Sequence, residues 1–175
     1  MNSKLAGSRT TGEARFTIQG DRLTIAITVH GTVPNIVHWQ HIHGFKDGRA
    51  ATCPGAGVDA NHDGVVDLME TSKASGVTMV PFITDPVSLD IAHGTYPKAD
   101  AEGNYTYQET VSLAAMNAAM AKAYPGQKLD LAKRVVYVHT VPADTHLAST
   151  VATLGPIPAQ ITLPLACGTI ERATP

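Results

Sequence analysis

Alternation of hydrophobic and polar residues predicts a chain built mainly of β-strands. From 22 to 30 every second residue is Leu, Ile or Val, so one face of this segment is apolar and the other is mostly polar. Residues 13–19 also alternate, and Gly20-Asp21 separates the two segments, which predicts a β-hairpin with one buried face. Further strands are predicted at 77–82, 104–111, 133–140 and 161–171. The first of these contains Pro81, which indicates that it lies at a sheet edge, because proline cannot donate a ladder hydrogen bond.

One α-helix is predicted near residues 112–124, between a serine suited to cap its start and a Pro-Gly pair that ends it. Met116 and Met120 share its apolar stripe. Methionine can bind Cu(I), but at helical spacing we expect these side chains to pack in the core. Segments 46–75 and 84–103 lack a regular pattern and are expected to be loops. Many strands, long loops and one inserted helix indicate an all-β Greek-key sandwich or barrel.

The strand before the first long loop carries three of the eight histidines. Residues two apart on a strand face the same side, so His41 and His43 point together while His38 points the other way. An H-x-H pair on a rigid strand is a common source of two nitrogen ligands for a metal. A third ligand must then come from elsewhere in the chain.

The first long loop contains a 12-residue calcium-binding pattern. Residues 59–70 fit D-x-N-x-D-G-x-x-D-x-x-E at every signature position. Calcium prefers about six to eight oxygen ligands, and clustered carboxylates repel one another unless a cation lies among them. The flanks are not the long helices of an EF-hand pair, so we predict a lone structural calcium loop, with a solvated acidic turn as the alternative. The predicted ligands are the side chains of Asp59, Asn61, Asp63, Asp67 and Glu70 and the carbonyl of Val65.

The composition excludes several classes of protein. The 175 residues are 43% hydrophobic and 16% charged with a formal net charge of −2, which suits one globular domain and provides no basic surface for nucleic acid. No apolar run approaches the roughly 20 residues of a membrane span. Residues 1–12 are expected to be disordered and 13–175 to form a single domain. The N-terminal segment lacks the apolar core of a signal peptide, so a cytosolic protein and an exported one whose signal has been removed stay open.

The two cysteines, Cys53 and Cys167, are far apart in sequence and belong to no C-x-x-C motif. They are either buried thiols or, in an exported protein, a disulfide. A bridge closing so long a loop would stabilise the fold by about 4 to 5 kcal/mol in the chain-entropy model.

Four motifs resemble, in order, those of the copper/zinc superoxide dismutases and their relatives. Residues 38–45 are similar to the copper-binding strand H-x-x-H-x-H of that family, and R-V-V-Y-V-H at 134–139 is similar to its late strand ending in a copper histidine. L-A-C-G-T-I at 165–170 is similar to its near-terminal motif, and Cys53 lies near the position of the other disulfide cysteine. The resemblance covers roughly residues 13–171; the H-I-H-G and V-H-T pieces also resemble the CHRD domain.

The resemblance implies a Greek-key sandwich or barrel of superoxide dismutase type. It also implies a disulfide between Cys53 and Cys167, and with it a periplasmic or secreted protein. His38 matches the histidine that braces the copper strand from behind. The matched copper ligands are His41, His43 and His139.

The chain also departs from the family pattern. The family has a fourth histidine that bridges copper to zinc, and here the candidates for an extra ligand are His62, inside the calcium pattern, and His93. The remaining zinc ligands are missing, so a zinc site of the usual kind is not expected. Asp144 lies where the family has an aspartate linking its metal sites. Pro164 replaces the arginine that guides the anion, and Gly44 replaces an acidic residue.

Three functions follow as expectations. The first is superoxide dismutation at a mononuclear copper site; the second is a non-enzymatic copper-binding protein with a copper-handling partner. The third is a structural module held by calcium and a disulfide, with its histidines unused or binding zinc. Loss of the guiding arginine and of the zinc site favours the second and third, whereas the retained histidines argue against the third. The oligomeric state stays open and includes a homodimer. Candidate positive charges for attracting an anion are Lys46, Arg49, Lys133 and Arg134.

Overall fold

A computed structural model describes residues 1–55 and 57–173. Two antiparallel sheets dominate it, one with the strand order β1-β2-β5 and the other with the order β4-β3-β6-β7. The prediction of a mainly β fold is therefore confirmed. The strands are β1 (Thr11–Gln19), β2 (Arg22–His30), β3 (Gln40–Gly44), β4 (Val77–Pro81), β5 (Tyr105–Ser112), β6 (Val135–His139) and β7 (Pro164–Thr169).

The predicted hairpin is present as β1 and β2. Gln19 pairs with Arg22 across the two-residue turn at Gly20-Asp21, and pairing continues to Thr11 opposite His30. β5 pairs with the other side of β2 and completes the three-stranded sheet. The apolar face predicted for β2 is buried and consists of Leu23, Ile25, Ile27 and Val29.

One hydrophobic core lies between the two sheets. Residues of β2 pack there with Ile42 of β3 and with Val136 and Val138 of β6. Met116 and Met120 of the predicted helix belong to the same core and are fully buried, which confirms their packing role. The opposite face of the four-stranded sheet, which carries the histidines, is therefore turned away from this core.

The described ranges contain four α-helices, of which the first precedes β1 and the other three connect strands. The predicted helix is present as α3, whereas α2 lies in a segment predicted to be loop. α1 lies in the segment for which disorder is expected, and there the Asn2 side chain donates to the carbonyls of Val66 and Pro164. None of the helices in the described ranges is long and apolar enough to cross a membrane. The helices are α1 (Ser3–Ala6), α2 (Leu68–Ser75), α3 (Leu113–Ala123) and α4 (Ala159–Thr162), with short 3-10 turns at Pro86–Ser88 and Leu131–Lys133.

The capping of α2 explains why a helix begins inside the predicted loop. The Asp67 carboxylate accepts hydrogen bonds from the backbone N–H groups of Met69 and Glu70, at 2.8 and 3.1 Å. The Glu70 carboxylate accepts in return from the Asp67 N–H at 3.1 Å. This reciprocal capping box satisfies backbone donors that a helix start otherwise leaves unpaired. Asp67 and Glu70 therefore begin a helix as well as ending the calcium pattern.

Candidate metal centre

Strand pairing brings three histidines together on the outer face of the four-stranded sheet. Alternation along β3 directs Ile42 into the core, and His41 and His43 to the opposite face. β6 pairs antiparallel with β3, so that Tyr137 lies opposite His41. The last residue of β6 is His139, whose N–H donates to the carbonyl of Trp39 at 2.7 Å. The third histidine thus reaches the cluster from a neighbouring strand, although it is distant in sequence.

The cluster is compact and buried. One ring nitrogen from each of His41, His43 and His139 lies within 4.8 Å of one nitrogen in each of the other rings. The three residues are only 3%, 6% and 5% exposed, respectively. Within the described residues, no other group of three or more His, Cys, Asp or Glu side chains converges to this extent. The cluster can therefore hold a metal ion, as the sequence predicts for these three residues.

The two nitrogens of each ring have different surroundings. The Nε2 atom of His41 lies 3.0 Å from the Tyr96 hydroxyl, and that of His43 lies 3.1 Å from the Thr78 hydroxyl. The Nδ1 atom of His139 donates to the carbonyl of Thr162 at 2.8 Å. The other nitrogens have no hydrogen-bond partner; these are Nδ1 of His41, Nδ1 of His43 and Nε2 of His139.

For His139 and His41, these contacts fix which nitrogen carries the lone pair. A carbonyl can only accept, so the Nδ1 atom of His139 carries the proton and its Nε2 atom has a free lone pair. The Tyr96 hydroxyl donates to the carbonyl of Ile91 at 2.9 Å, which leaves its oxygen to accept from Nε2 of His41. Buried polar atoms without a partner are rare, and metal ligation by their lone pairs would account for them. The donor set therefore fits a bound transition-metal ion.

Burial keeps the three rings neutral. Desolvation holds the pKa of His41 well below its usual value, and the neighbouring rings of His139 and His43 lower it further. Desolvation and the neighbouring His139 ring also hold the pKa of His43 well below its usual value. Burial lowers the pKa of His139 to about 4, against a smaller raising effect of its bond to Thr162. Near neutral pH all three rings are thus unprotonated at one nitrogen, as metal ligation requires.

His38 lies behind the cluster, on the opposite side from His41 and His43 as its odd spacing predicts. It is fully buried, and its ring stacks on Tyr105 with a centroid distance of 5.8 Å. Its Nδ1 atom lies 2.8 Å from the carbonyl oxygen of His139, and its Nε2 atom lies 2.8 Å from that of Val33. These contacts join the end of β6 to the loop after β2 and support the backbone that carries His139.

The other predicted site histidines lie outside the cluster. His62 is exposed in the first long loop at a φ of 59°. His93 is also exposed, and its Nδ1 atom lies 3.0 Å from the carboxylate of Asp90. Asp144 is exposed in the loop after β6. The structure therefore brings neither His62 nor His93 to the cluster as a fourth ligand, and it makes no link between Asp144 and the three rings.

The predicted calcium loop folds around its own carboxylates. Asp59 accepts from the N–H groups of Asp63 and Gly64 at 3.2 and 2.9 Å, and Glu70 accepts from that of Ala60 at 2.7 Å. Gly64 has a φ of 83°, as its place in the sharp turn requires. The acidic side chains do not converge as the histidines do. Calcium binding here stays a prediction.

The disulfide between Cys53 and Cys167 is present. It ties the loop after β3 to β7 and packs in a small cluster with Tyr137, which is fully buried. The ring of Tyr137 lies 4.6 Å from that of His43 and 5.4 Å from that of His139. The bridge therefore anchors the loop next to Tyr137, whose ring contacts two of the clustered histidines.

Most of the candidate positive charges are engaged in other interactions. Arg134 is 2% exposed and donates to the carbonyls of Leu129 and Lys128. Arg49 lies over the ring of Phe45 at 3.7 Å, and Lys133 pairs with Asp130 at 3.0 Å. Lys46 is exposed in the loop after β3.

The ligand-supporting residues Tyr96, Thr78 and Thr162 were not predicted from the sequence. They lie in three separate segments, and no motif links them to the histidines. No protein-family model matches the chain, and no curated protein is significantly similar to it.

Proposed function

We propose that the protein binds one copper ion through His41, His43 and His139, and that this centre dismutates superoxide. The observation that carries the proposal is the convergence of three buried imidazoles whose inner nitrogens lack any protein partner. Imidazole suits copper, zinc, iron and nickel, whereas calcium and magnesium prefer oxygen ligands. The resemblance of residues 38–45 and 134–139 to the copper strands of superoxide dismutases favours copper among these metals.

Bound copper would supply one-electron redox chemistry by alternating between Cu(II) and Cu(I). The protein supplies three neutral nitrogen donors in fixed orientations, and three protein ligands leave coordination positions open for a small molecule. Because the ligands are at most 6% exposed, a diatomic substrate such as superoxide suits this access better than a large organic molecule. In this proposal the two sheets adopt the Greek-key arrangement of the dismutases, and His38 keeps its bracing role.

A non-enzymatic copper-binding role is the second candidate. The engagement of Arg134, Arg49 and Lys133 in other contacts favours it, because a dismutase gains rate from positive charge that attracts its anionic substrate. In this role the protein stores copper or passes it to a copper-handling partner. The disulfide supports a periplasmic or secreted location for either function, since such bridges persist in oxidising compartments.

One preparation separates the two functions. The protein is loaded with copper, its metal content is counted, and superoxide decay is followed for the wild type, His139→Ala and His93→Ala. His93 is the control because it is an exposed histidine outside the cluster. One copper per chain, with activity lost only in His139→Ala, supports the enzyme. One copper without activity supports the storage role, and absence of copper binding rejects both.

Calcium is proposed for the loop at residues 59–70, where it would order the chain beside the metal centre. The complete match of this segment to the 12-residue ligand pattern supports the proposal. The proposed function does not include a zinc site of the kind found in copper/zinc superoxide dismutases.

A further inference from the structure

Tyr96 holds a position that no sequence motif assigns. It lies in the loop between β4 and β5 and is 6% exposed. Its hydroxyl donates to the carbonyl of Ile91 at 2.9 Å and lies 3.0 Å from the Nε2 atom of His41. This hydroxyl is the only hydrogen-bond partner of the His41 ring among the described residues.

The single proton of the hydroxyl determines the direction of both bonds. Because that proton is directed to the carbonyl of Ile91, the oxygen faces His41 with a lone pair and accepts the Nε2 proton. The Nδ1 atom of His41 then carries the lone pair on the inner side of the cluster, where it has no partner. Loss of the hydroxyl would leave a buried N–H group unpaired and would remove the bond that favours the tautomer with the proton on Nε2.

The surroundings of Tyr96 hold it in place. Its ring stacks on Trp39 with a centroid distance of 5.0 Å and an interplanar angle of 18°. The N–H of His38 donates to the carbonyl of Pro97 at 2.9 Å, and that of Ala99 donates to the carbonyl of Ile36 at 3.0 Å. The chain after Tyr96 is thus joined to the chain leading into β3, which fixes the phenol relative to His41.

The partners of the other two rings differ from Tyr96. The Thr78 hydroxyl belongs to β4, which pairs directly with the strand that carries His43. His139 bonds to a backbone carbonyl, that of Thr162, which no substitution removes. His41 alone depends on a side chain from a long loop.

We propose that Tyr96 is a positioning residue of the metal centre, whose hydroxyl holds His41 in the tautomer that presents Nδ1 to the ion. The inference rests on the proposed metal binding for its functional meaning. The tautomer of His41 is a property of the metal-free protein and can be measured there separately.

The first test is the protonation pattern of His41 in metal-free protein. Long-range ¹H–¹⁵N NMR spectra of the imidazoles distinguish the two neutral tautomers. The wild type is expected to show His41 protonated at Nε2, and Tyr96→Phe is expected to show a mixture of the two tautomers. A wild-type His41 protonated at Nδ1 overturns the inference, whether or not the variant folds or any metal binds.

The second test is metal affinity. Trp39 is the sole tryptophan, and its ring lies 5.8 Å from that of His41, so its fluorescence reports titrations with Cu(II). Tyr96→Phe keeps the stacked ring and is expected to weaken binding by about 10- to 100-fold, as for other residues that orient metal ligands. Zn(II), followed by competition with a chelator, should show a loss of similar size.

Tyr107→Phe is the matched control. Its hydroxyl also donates to a loop carbonyl, that of Ile83 at 2.8 Å, but it does not contact the three histidines. This variant should bind metal as the wild type does. Equal affinities for wild type and Tyr96→Phe would overturn the proposed role of the hydroxyl. A wild type that binds no metal would instead defeat the proposed function, while the NMR result would still decide the tautomer.

Discussion

At the scale of single residues, each clustered histidine uses its two ring nitrogens for different tasks. The outer nitrogen bonds to the protein, and the inner one is left for an ion. Burial supports this division because it disfavours the protonated ring. For the same reason, acid should lower the stability of the folded metal-free protein.

The metal-free protein should lose stability as the pH falls from about 6.5 towards 4. Burial lowers the pKa of His139 from 6.5 to about 4, so in this interval the unfolded chain binds a proton that the folded chain does not. At about 1.4 kcal/mol per pKa unit, His139 alone contributes roughly 3 kcal/mol to the loss of stability over this whole interval. The pKa values of His41 and His43 are lowered as well, so these residues add to the loss. Urea unfolding at about pH 7 and about pH 5 measures the loss.

Two variants make this prediction specific. His139→Gln should reduce the dependence of the free energy of unfolding on pH, because it removes one of the depressed pKa values. His93→Asn is the control variant, since His93 is an exposed histidine outside the cluster. If the free energy of unfolding of His139→Gln fell with pH as steeply as that of the wild type, the lowered pKa of His139 would be contradicted.

Gly44 follows the H-x-H pair at a position where the surrounding atoms leave no room for a side chain. A Cβ atom there would lie 2.4 Å from Nη1 and 2.8 Å from Cδ of Arg134, and 3.0 Å from Sδ of Met79. Arg134 cannot move aside easily, because it is buried and bonded to Leu129 and Lys128.

Gly44→Ala should therefore lower the free energy of unfolding by about 1 to 3 kcal/mol, the usual cost of overpacking a core. Gly168→Ala is the control, since a Cβ atom at Gly168 meets nothing within 4 Å. Chemical denaturation of the two variants measures the difference. If Gly44→Ala were as stable as Gly168→Ala, the proposed steric reason for this glycine would be wrong.

At the scale of elements, the predicted calcium loop and helix α2 share two acidic residues. Asp67 and Glu70 form the capping box, whereas Asp63 accepts from the N–H of Val65 at 2.8 Å within the loop. These two roles can be separated by substitution, because the cap acts without an ion and the proposed site does not.

Calcium should raise the Tm of the wild type, and Asp63→Asn should abolish this increase. Asparagine keeps an oxygen for the N–H of Val65 but removes the charge that favours a divalent cation. Asp67→Ala should lower the Tm with or without calcium, because it removes the cap of α2 at a cost of about 1 to 2 kcal/mol. Thermal melts with added calcium or chelator measure both effects; an equal calcium response in wild type and Asp63→Asn would refute the site.

Local patterns predicted the elements better than the contacts between them. Alternation identified the β1–β2 hairpin and the opposite orientations of His38 and His41, because side-chain direction follows from backbone period alone. Helix α2 was missed because its capping box coincides with the calcium pattern. Tyr96 could not be predicted, since its contact with His41 depends on how a long loop folds back onto β3.

At the scale of the whole molecule, the histidine cluster is held by segments from most of the chain. The disulfide joins the first long loop to β7, and Tyr137 fills the space between this bridge and the histidine rings. Asn2 adds a link between the N-terminal segment, the loop and β7.

Loss of the disulfide should lower the free energy of unfolding by about 4 to 5 kcal/mol in the chain-entropy model, because the bridge spans 114 residues. Denaturation of the paired variant Cys53→Ser and Cys167→Ser, compared with oxidised wild type, measures this cost. The wild type under reducing conditions provides the matched control and should approach the stability of the variant. A loss below about 1 kcal/mol in both would contradict a stabilising role.

The most direct test of the central claim is the electron paramagnetic resonance spectrum of protein loaded with one equivalent of Cu(II). We expect one bound copper per chain with couplings from three imidazole nitrogens, reduced to two in His139→Gln. A copper signal without imidazole couplings, or a spectrum that is the same in the wild type and in His139→Gln, would contradict a copper centre formed by His41, His43 and His139.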